Sequence, residues 1–232
     1  MPLEDILLRI PVLLFSIVAH EYAHAEAAYR QGDSTAYMLG RLTLNPIKHI
    51  DPVMTILLPA ILIISNAPFV LGAAKPVPVN PRNYRHYVRG DIIVSLAGIA
   101  TNLALFVVSA LAFVLLGTLA GALPDMTSSL ALLQRMMFWG MYVNLTLACF
   151  NLIPIPPLDG SHVLKQLLPP AAGMQYRQLY ALGIVPILLV MWLLPGVIRV
   201  FMWPGLALLG VTLGIVYPFH LTGGIPPWLL GP

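Results

Sequence analysis

The sequence predicts an all-α membrane protein, a polytopic helix bundle of about five to six transmembrane segments with one re-entrant or β-hairpin-like loop. Of its 232 residues, 59% are hydrophobic and only 9% are charged, whereas about 25% of residues are charged in a soluble domain. Several uncharged runs reach the ~20 residues that cross a hydrocarbon core. We expect one membrane domain over residues 1–232, with a core at about 6–165, further helices at about 179–220, and no soluble appendage.

The first apolar run, residues 6–30, contains the pattern HExxH at His20, Glu21 and His24. Residues four apart lie on one face of an α-helix, so both imidazoles face a common point and Glu21 lies beside them. Two such histidines are typical zinc ligands, and the glutamate is placed to act as a general base towards an attacking water. Ionisable groups at this depth are costly in lipid and are usually functional. The run lacks a basic start, so it is not expected to be a cleaved signal.

The later segments follow in order from hydropathy and turn signals. Residues 52–72 are apolar but interrupted by prolines, and the proline-rich, basic stretch that follows indicates an extended loop. Further spans are expected at about 92–119, 130–152, 179–194 and 200–219. Within the first of these, small and polar residues are spaced for close helix contact. These residues are Ser95, Gly98, Thr101 and Asn102.

The placement of the lysines and arginines predicts how the chain is oriented in the membrane. Nine of the twelve lysines and arginines fall in three loops, which should be cytoplasmic, with the N-terminus outside. Both flanks of residues 52–72 belong to this set, so a re-entrant element that enters and leaves on the cytoplasmic side is favoured; a full crossing is the alternative. These short basic loops are topology signals and indicate no nucleic-acid partner.

Asp159 is the candidate third zinc ligand, because catalytic zinc sites normally use three protein ligands. It follows a rigid proline run, and Gly160 is expected to free the next turn. His24 lies six residues before Arg30, about 9 Å along a helix, and Asp159 lies six residues before Lys165, so the depths match. The alternative is an ordinary turn aspartate before glycine. Glu26 points about 200° away from His24 and is not expected to be a ligand.

Four motifs resemble the site-2 protease family of intramembrane zinc metalloproteases, in its short form without a PDZ domain. They are HEYAH, AKPVPVNP, SLAGIATN and NLTLACFNLIPIPPLDG. The resemblance implies one Zn²⁺ ion bound by His20, His24 and Asp159, with Glu21 as general base. It also implies that Asn102 and Asn151 lie near the cleft, where they hold substrate backbone or stabilise the oxyanion. For both asparagines, interhelical hydrogen bonding is an equal alternative. Ile99 stands where the family usually has proline, which puts a local helix bend in doubt.

The expected function is therefore hydrolysis of peptide bonds within or next to transmembrane segments of membrane protein substrates, in the lipid bilayer of a bacterial plasma membrane, with the zinc site towards the cytoplasm. A substrate helix must unwind first, and the segment PVPVN is expected to pair with it as an added strand. The alternative is a zinc-binding membrane transporter or metal sensor without proteolytic activity, since intramembrane His and Asp also line ion pathways. An inactive scaffold is a weaker alternative.

Overall fold

The computed structural model describes residues 3–57, 61, 64, 65 and 75–226, and these residues are mainly helical, with no strand among them. Short 3₁₀ turns and one π-helical segment, Pro52–Leu57, connect the α-helices. The α-helices in this part of the chain are α1 Leu3–Gln31, α2 Thr35–Met38, α3 Tyr87–Ala122, α4 Thr127–Asn151, α5 Asp159–Leu167, α6 Pro170–Arg177, α7 Val185–Leu193 and α8 Pro195–Val216.

Helix α1 begins and ends with residues suited to its termini. Glu4 and Asp5 lie in the first turn and Arg30 in the last, where they complement the helix dipole. Gly32 follows with φ of 109°, a conformation that side chains rarely adopt. Its N–H donates to the carbonyl of Tyr29, and the N–H of the next residue donates to the carbonyl of Ala28. This is a Schellman cap, which ends the helix seven residues after His24.

Within the described residues, three helices are long and apolar enough to cross a membrane: Glu4–Gln31, Tyr87–Ala122 and Pro195–Phe219. The pair Pro170–Leu182 and Val185–Leu193, bent by 91°, gives a fourth if it is one broken span. The described residues therefore hold three or four candidate spans, and the predicted number of five to six is not confirmed.

Two predicted segments account for the difference. Helix α4 has 25 residues, about 37 Å at 1.5 Å per residue, but its polar residues keep it outside the set of apolar spans. Gln134, Arg135 and Asn144 are all buried there, which makes α4 an internal helix. Most of residues 52–72 lie outside the described part of the chain, as does the choice between a re-entrant element and a full crossing.

The structure divides into two compact units, and the first comprises residues 1–16 and 99–232. Its main core is aromatic and centres on α4, with Phe138 and Trp139 packed near Phe113 of α3 and Leu209 of α8. A buried ion pair joins helices α1 and α4, since Nε of Arg135 lies 2.7 Å from Asp5. Large apolar side chains on α3 and α8 stay exposed, which fits a lipid-facing surface.

The second unit comprises residues 17–98. It contains the HExxH part of α1, the short helix α2, the loop at 75–86 and the start of α3. Two small apolar clusters hold it together, one of Ala25, Ala36 and Val77 and one of Ala28, Tyr84 and Val94. Membership of one domain over residues 1–232 stays a prediction.

Candidate functional site

The two histidines of the HExxH pattern face each other on α1. Their Nε2 atoms are 2.9 Å apart, and the rings meet edge to face. His20 is buried and His24 is half-buried. Histidine nitrogens lie about 2.0–2.1 Å from a bound zinc ion, so two Nε2 atoms less than about 4 Å apart can both reach one ion. The predicted convergence of the two imidazoles is present in the structure.

A backbone carbonyl fixes the protonation of His24. Its Nδ1 lies 2.7 Å from the carbonyl oxygen of Val94 on α3. A carbonyl can only accept, so Nδ1 carries a proton, and in the neutral imidazole this leaves the lone pair on Nε2. This is the usual second partner of a metal-binding histidine, which sets both ring orientation and ligand basicity.

Gly98, one turn after Val94, makes room for both rings. A Cβ at this position would lie 2.5 Å from Cε1 of His20, 2.6 Å from its Nε2 and 2.6 Å from Nε2 of His24. Any side chain there would occupy the space beside the Nε2 atoms of both histidines. The small residue predicted for helix contact thus has a specific use at the site.

Glu21 is half-buried beside the histidines. One of its oxygens, Oε2, accepts a hydrogen bond of 2.8 Å from the backbone N–H of Val77. The loop at 75–86 therefore holds the carboxylate through Oε2. Among the described residues, the other oxygen, Oε1, has no hydrogen bond to this loop. Glu26, which was not expected to be a ligand, pairs instead with Arg30 at 2.7 Å.

Asp159 is the first residue of α5. Neighbouring contacts fix this turn. The hydroxyl of Ser161 donates a hydrogen bond to the carbonyl of Leu158, and its oxygen lies 2.7 Å from the hydroxyl oxygen of Tyr180. Gly160 lies inside α5 and packs against the carbonyl of Leu152, so glycine is required here by space. The expectation that Gly160 frees the next turn was wrong, since its backbone is helical.

The described residues include one group of His, Cys, Asp or Glu side chains suited to a metal ion. It consists of His20, His24 and Asp159. Two imidazole nitrogens and one carboxylate oxygen form a donor set that suits zinc. The other described histidines are in no such group.

The two predicted asparagines have structural partners. Asn102 is fully buried, and its amide group donates to Oδ1 of Asn144 at 2.9 Å, joining α3 to α4. Asn151 donates to the carbonyl of Leu147 within α4. The contacts of Asn102 match the interhelical alternative, and a role of either residue towards substrate stays a prediction.

Comparison with known proteins agrees with the motif. The chain is 38% identical over 183 residues to "Putative zinc metalloprotease YwhC" of Bacillus subtilis, covering 79% of this chain and 78% of that protein. The chain belongs to peptidase family M50, the site-2 protease family. The model of this M50 family matches residues 116–194, a region that contains Asp159.

Further M50-type relatives are more distant. The chain is 36% identical over 157 residues to "Putative zinc metalloprotease Rip2" of Mycolicibacterium smegmatis and 33% identical over 158 residues to Rip2 of Mycobacterium tuberculosis. Each match covers 68% of this chain and 56% of the relative. No solved structure matches this M50 chain significantly.

Proposed function

We propose that this protein is an intramembrane zinc metalloprotease that hydrolyses peptide bonds within or next to transmembrane segments of membrane proteins. Membership of family M50 makes it a metalloprotease with a zinc cofactor, in line with the names of YwhC and Rip2. The observation that carries the proposal is the HExxH turn of α1, with two Nε2 atoms 2.9 Å apart and Glu21 beside them.

His20, His24 and Asp159 are the proposed zinc ligands. Three features support this assignment: the protonation of His24 fixed by Val94, the space left by Gly98, and the grouping of the three donors. When bound, zinc supplies a Lewis acid that polarises the scissile carbonyl and lowers the pKa of water at the site.

Glu21 is the proposed general base and acid. Its carboxylate takes a proton from the water as the water oxygen forms a bond to the carbonyl carbon. When the carbon–nitrogen bond breaks, Glu21 returns that proton to the departing amine nitrogen. A half-buried carboxylate with one oxygen fixed by Val77 has its second oxygen available for this transfer.

The segment at 76–80 is the proposed docking edge for the substrate. A transmembrane helix pairs its backbone groups internally, so its scissile carbonyl is reached only after local unwinding. Pro76 and Pro78 restrict the residues before them to extended backbone, which suits pairing with an unwound strand. Val77 anchors this edge beside Glu21, so the added strand would run next to the base.

We also propose a bacterial plasma membrane location, with the N-terminus outside and the zinc site towards the cytoplasm. The three basic loops support this orientation. The exposed apolar faces of α1, α3 and α8 support residence in a bilayer.

Replacement of Glu21 tests the proposal. We expect Glu21→Gln to keep zinc, because Glu21 is not a ligand, and to lose cleavage of a panel of transmembrane peptides in detergent. Wild-type protein with a zinc chelator should lose the same cleavage. Glu26→Gln is the matched control, since Glu26 lies on the same helix and pairs with Arg30.

Zinc content by emission spectroscopy and peptide cleavage by mass spectrometry are the two measurements. Cleavage that survives in Glu21→Gln would contradict the assignment of the base. Zinc flux into liposomes, changed by Glu21→Gln in the absence of any peptide cleavage by wild type, would favour the transporter alternative.

A further inference from the structure

The catalytic base is held by a backbone group from a distant part of the chain. The N–H of Val77 donates to Oε2 of Glu21 at 2.8 Å, across 56 positions in the sequence. A hydrogen bond to a carboxylate is stronger than one between neutral groups, and in a half-buried site it restricts the rotation of the side chain. The contact therefore defines which oxygen of Glu21 faces the loop.

The loop that provides this N–H is fixed at both ends. At one end, the N–H of Lys75 donates to the carbonyl of His49 at 2.8 Å, and Nη2 of Arg41 donates to the carbonyl of Lys75 at 2.9 Å. At the other end, the N–H of Asn80 donates to Oδ2 of Asp33 at 2.7 Å. With both ends anchored, the position of the Val77 amide is set by the surrounding structure.

Packing fixes the same residue from its side chain. Val77 is buried and packs with Ala25 and Ala36. Ala25 lies one helical turn after Glu21 on α1, so the valine side chain and its N–H contact adjacent turns of the same helix. The loop is thus seated directly on the helix that carries the base.

The flanking prolines leave one choice of donor. Pro76 and Pro78 have no N–H, so Val77 has the only backbone donor between Lys75 and Val79. Both prolines also favour extended backbone at the preceding residue, which keeps the Val77 amide in one orientation. A shift of the loop by one residue in either direction would leave Glu21 without a backbone partner.

From these contacts we infer that the Val77 N–H is a positioning group for Glu21 and that Val79, not Val77, is the backbone donor of this edge for substrate. In the described residues, the N–H groups of Lys75, Val77 and Asn80 all have partners within the protein. The N–H of Val79 has none there. The inference rests on the proposed function, and it divides the edge into one amide for the base and one for the substrate.

Backbone esters test this division, because they replace a single N–H by oxygen and keep the side chain. An ester is introduced at Val77 by incorporation of the α-hydroxy analogue of valine, and an identical ester at Val79 is the matched control. Zinc content and thermal unfolding report whether each protein folds. kcat and KM are measured with a transmembrane peptide that the wild type cleaves.

We expect the Val77 ester to lower kcat by roughly tenfold or more, with KM within about twofold and zinc content unchanged. The Val79 ester should raise KM with little change in kcat. Val77→Ala keeps the N–H, so it should keep most of kcat although it loses side-chain packing.

A Val77 ester that raises KM and leaves kcat unchanged would overturn the inference, since that amide would then bind substrate. A Val77 ester with wild-type kcat and KM would also overturn it. Both outcomes require cleavage by the wild type. Absence of wild-type cleavage, or persistence of cleavage in Glu21→Gln, would instead reject the proposed function.

Discussion

Replacement of Gly98 by alanine should weaken zinc binding while it favours the helical conformation of α3. In the interior of α3, alanine is a better helix former than glycine by about 1 kcal/mol. The added Cβ, however, would meet His20 and His24 at 2.5–2.6 Å, whereas an ordinary contact begins at 3.4 Å. Either the two rings or the helix must move by roughly 0.8 Å or more, the difference between these distances.

A displacement of this size matters for zinc, whose bonds to imidazole nitrogen are held within about 0.2 Å of 2.0–2.1 Å. Mutation of residues that only orient the ligands typically costs 10–100-fold in metal affinity. Because Gly98→Ala moves the Nε2 atoms of the two proposed ligands themselves, we expect zinc affinity to fall by about 100-fold or more. The assay is competition between the purified protein and a chromophoric chelator, together with zinc content after dialysis.

Gly121→Ala is the matched control, because Gly121 lies in the same helix and its added Cβ would meet no described atom within 4 Å beyond the adjacent backbone of that helix. This variant should bind zinc as the wild type does. Equal zinc affinity of Gly98→Ala and Gly121→Ala would refute the geometry. Lower thermal stability of Gly98→Ala with wild-type zinc affinity would also refute it, because we expect the zinc affinity to fall and the helix to be favoured.

Two further predictions concern the supports of the site. Burial by itself raises the pKa of Asp33, but hydrogen bonds from the Asn80 N–H, Thr35 and Asn83 outweigh it and lower the pKa below its ordinary value of 3.8. The stability that Asp33 gives to the loop at 75–86 is therefore complete above that ordinary value and lost as pH falls through the lower folded pKa, so the protection factors of the loop amides, corrected for the intrinsic exchange rate, should fall in acid. Asp33→Asn should lower these protection factors already at neutral pH, and a wild-type pH dependence of the protection factors in the variant would contradict the assignment. Tyr180→Phe removes the hydroxyl that lies 2.7 Å from Ser161, so zinc affinity should fall about three- to tenfold. Tyr217→Phe is its control, and equal zinc dissociation constants for the two variants would remove Tyr180 from the support of Asp159.

The sequence alone was sufficient to predict residues that act through their side chains and lie close together in the chain. His20 and His24 are one turn apart, so their convergence follows from helix geometry alone. The partners that hold them do not follow in this way. Val94 contributes a carbonyl and Val77 an N–H, and backbone groups have no side-chain signature that a sequence pattern can identify.

Small residues were recognised, but their purpose was not always predictable. Gly98 belonged to the expected contact stripe of α3, although its specific neighbours were the two histidines. Gly160 was expected to serve a turn, and instead it allows α5 to pack on the carbonyl of Leu152. Both requirements arise from residues that lie on another element and come close only in the folded chain, so glycine alone does not distinguish conformational freedom from lack of space.

Helix α4 is long enough to span a membrane, but its buried polar residues keep it outside the set of apolar spans. Arg135 forms an ion pair with Asp5 of α1, and Oδ1 of Asn144 accepts a hydrogen bond from the side-chain amide of Asn102 on α3. Each polar group thus replaces water by a partner on a neighbouring helix, which is what a polar side chain requires inside a bilayer. The low hydropathy of α4 thus reflects side chains that pair with neighbouring helices, and the hydropathy of a single segment does not show such pairing.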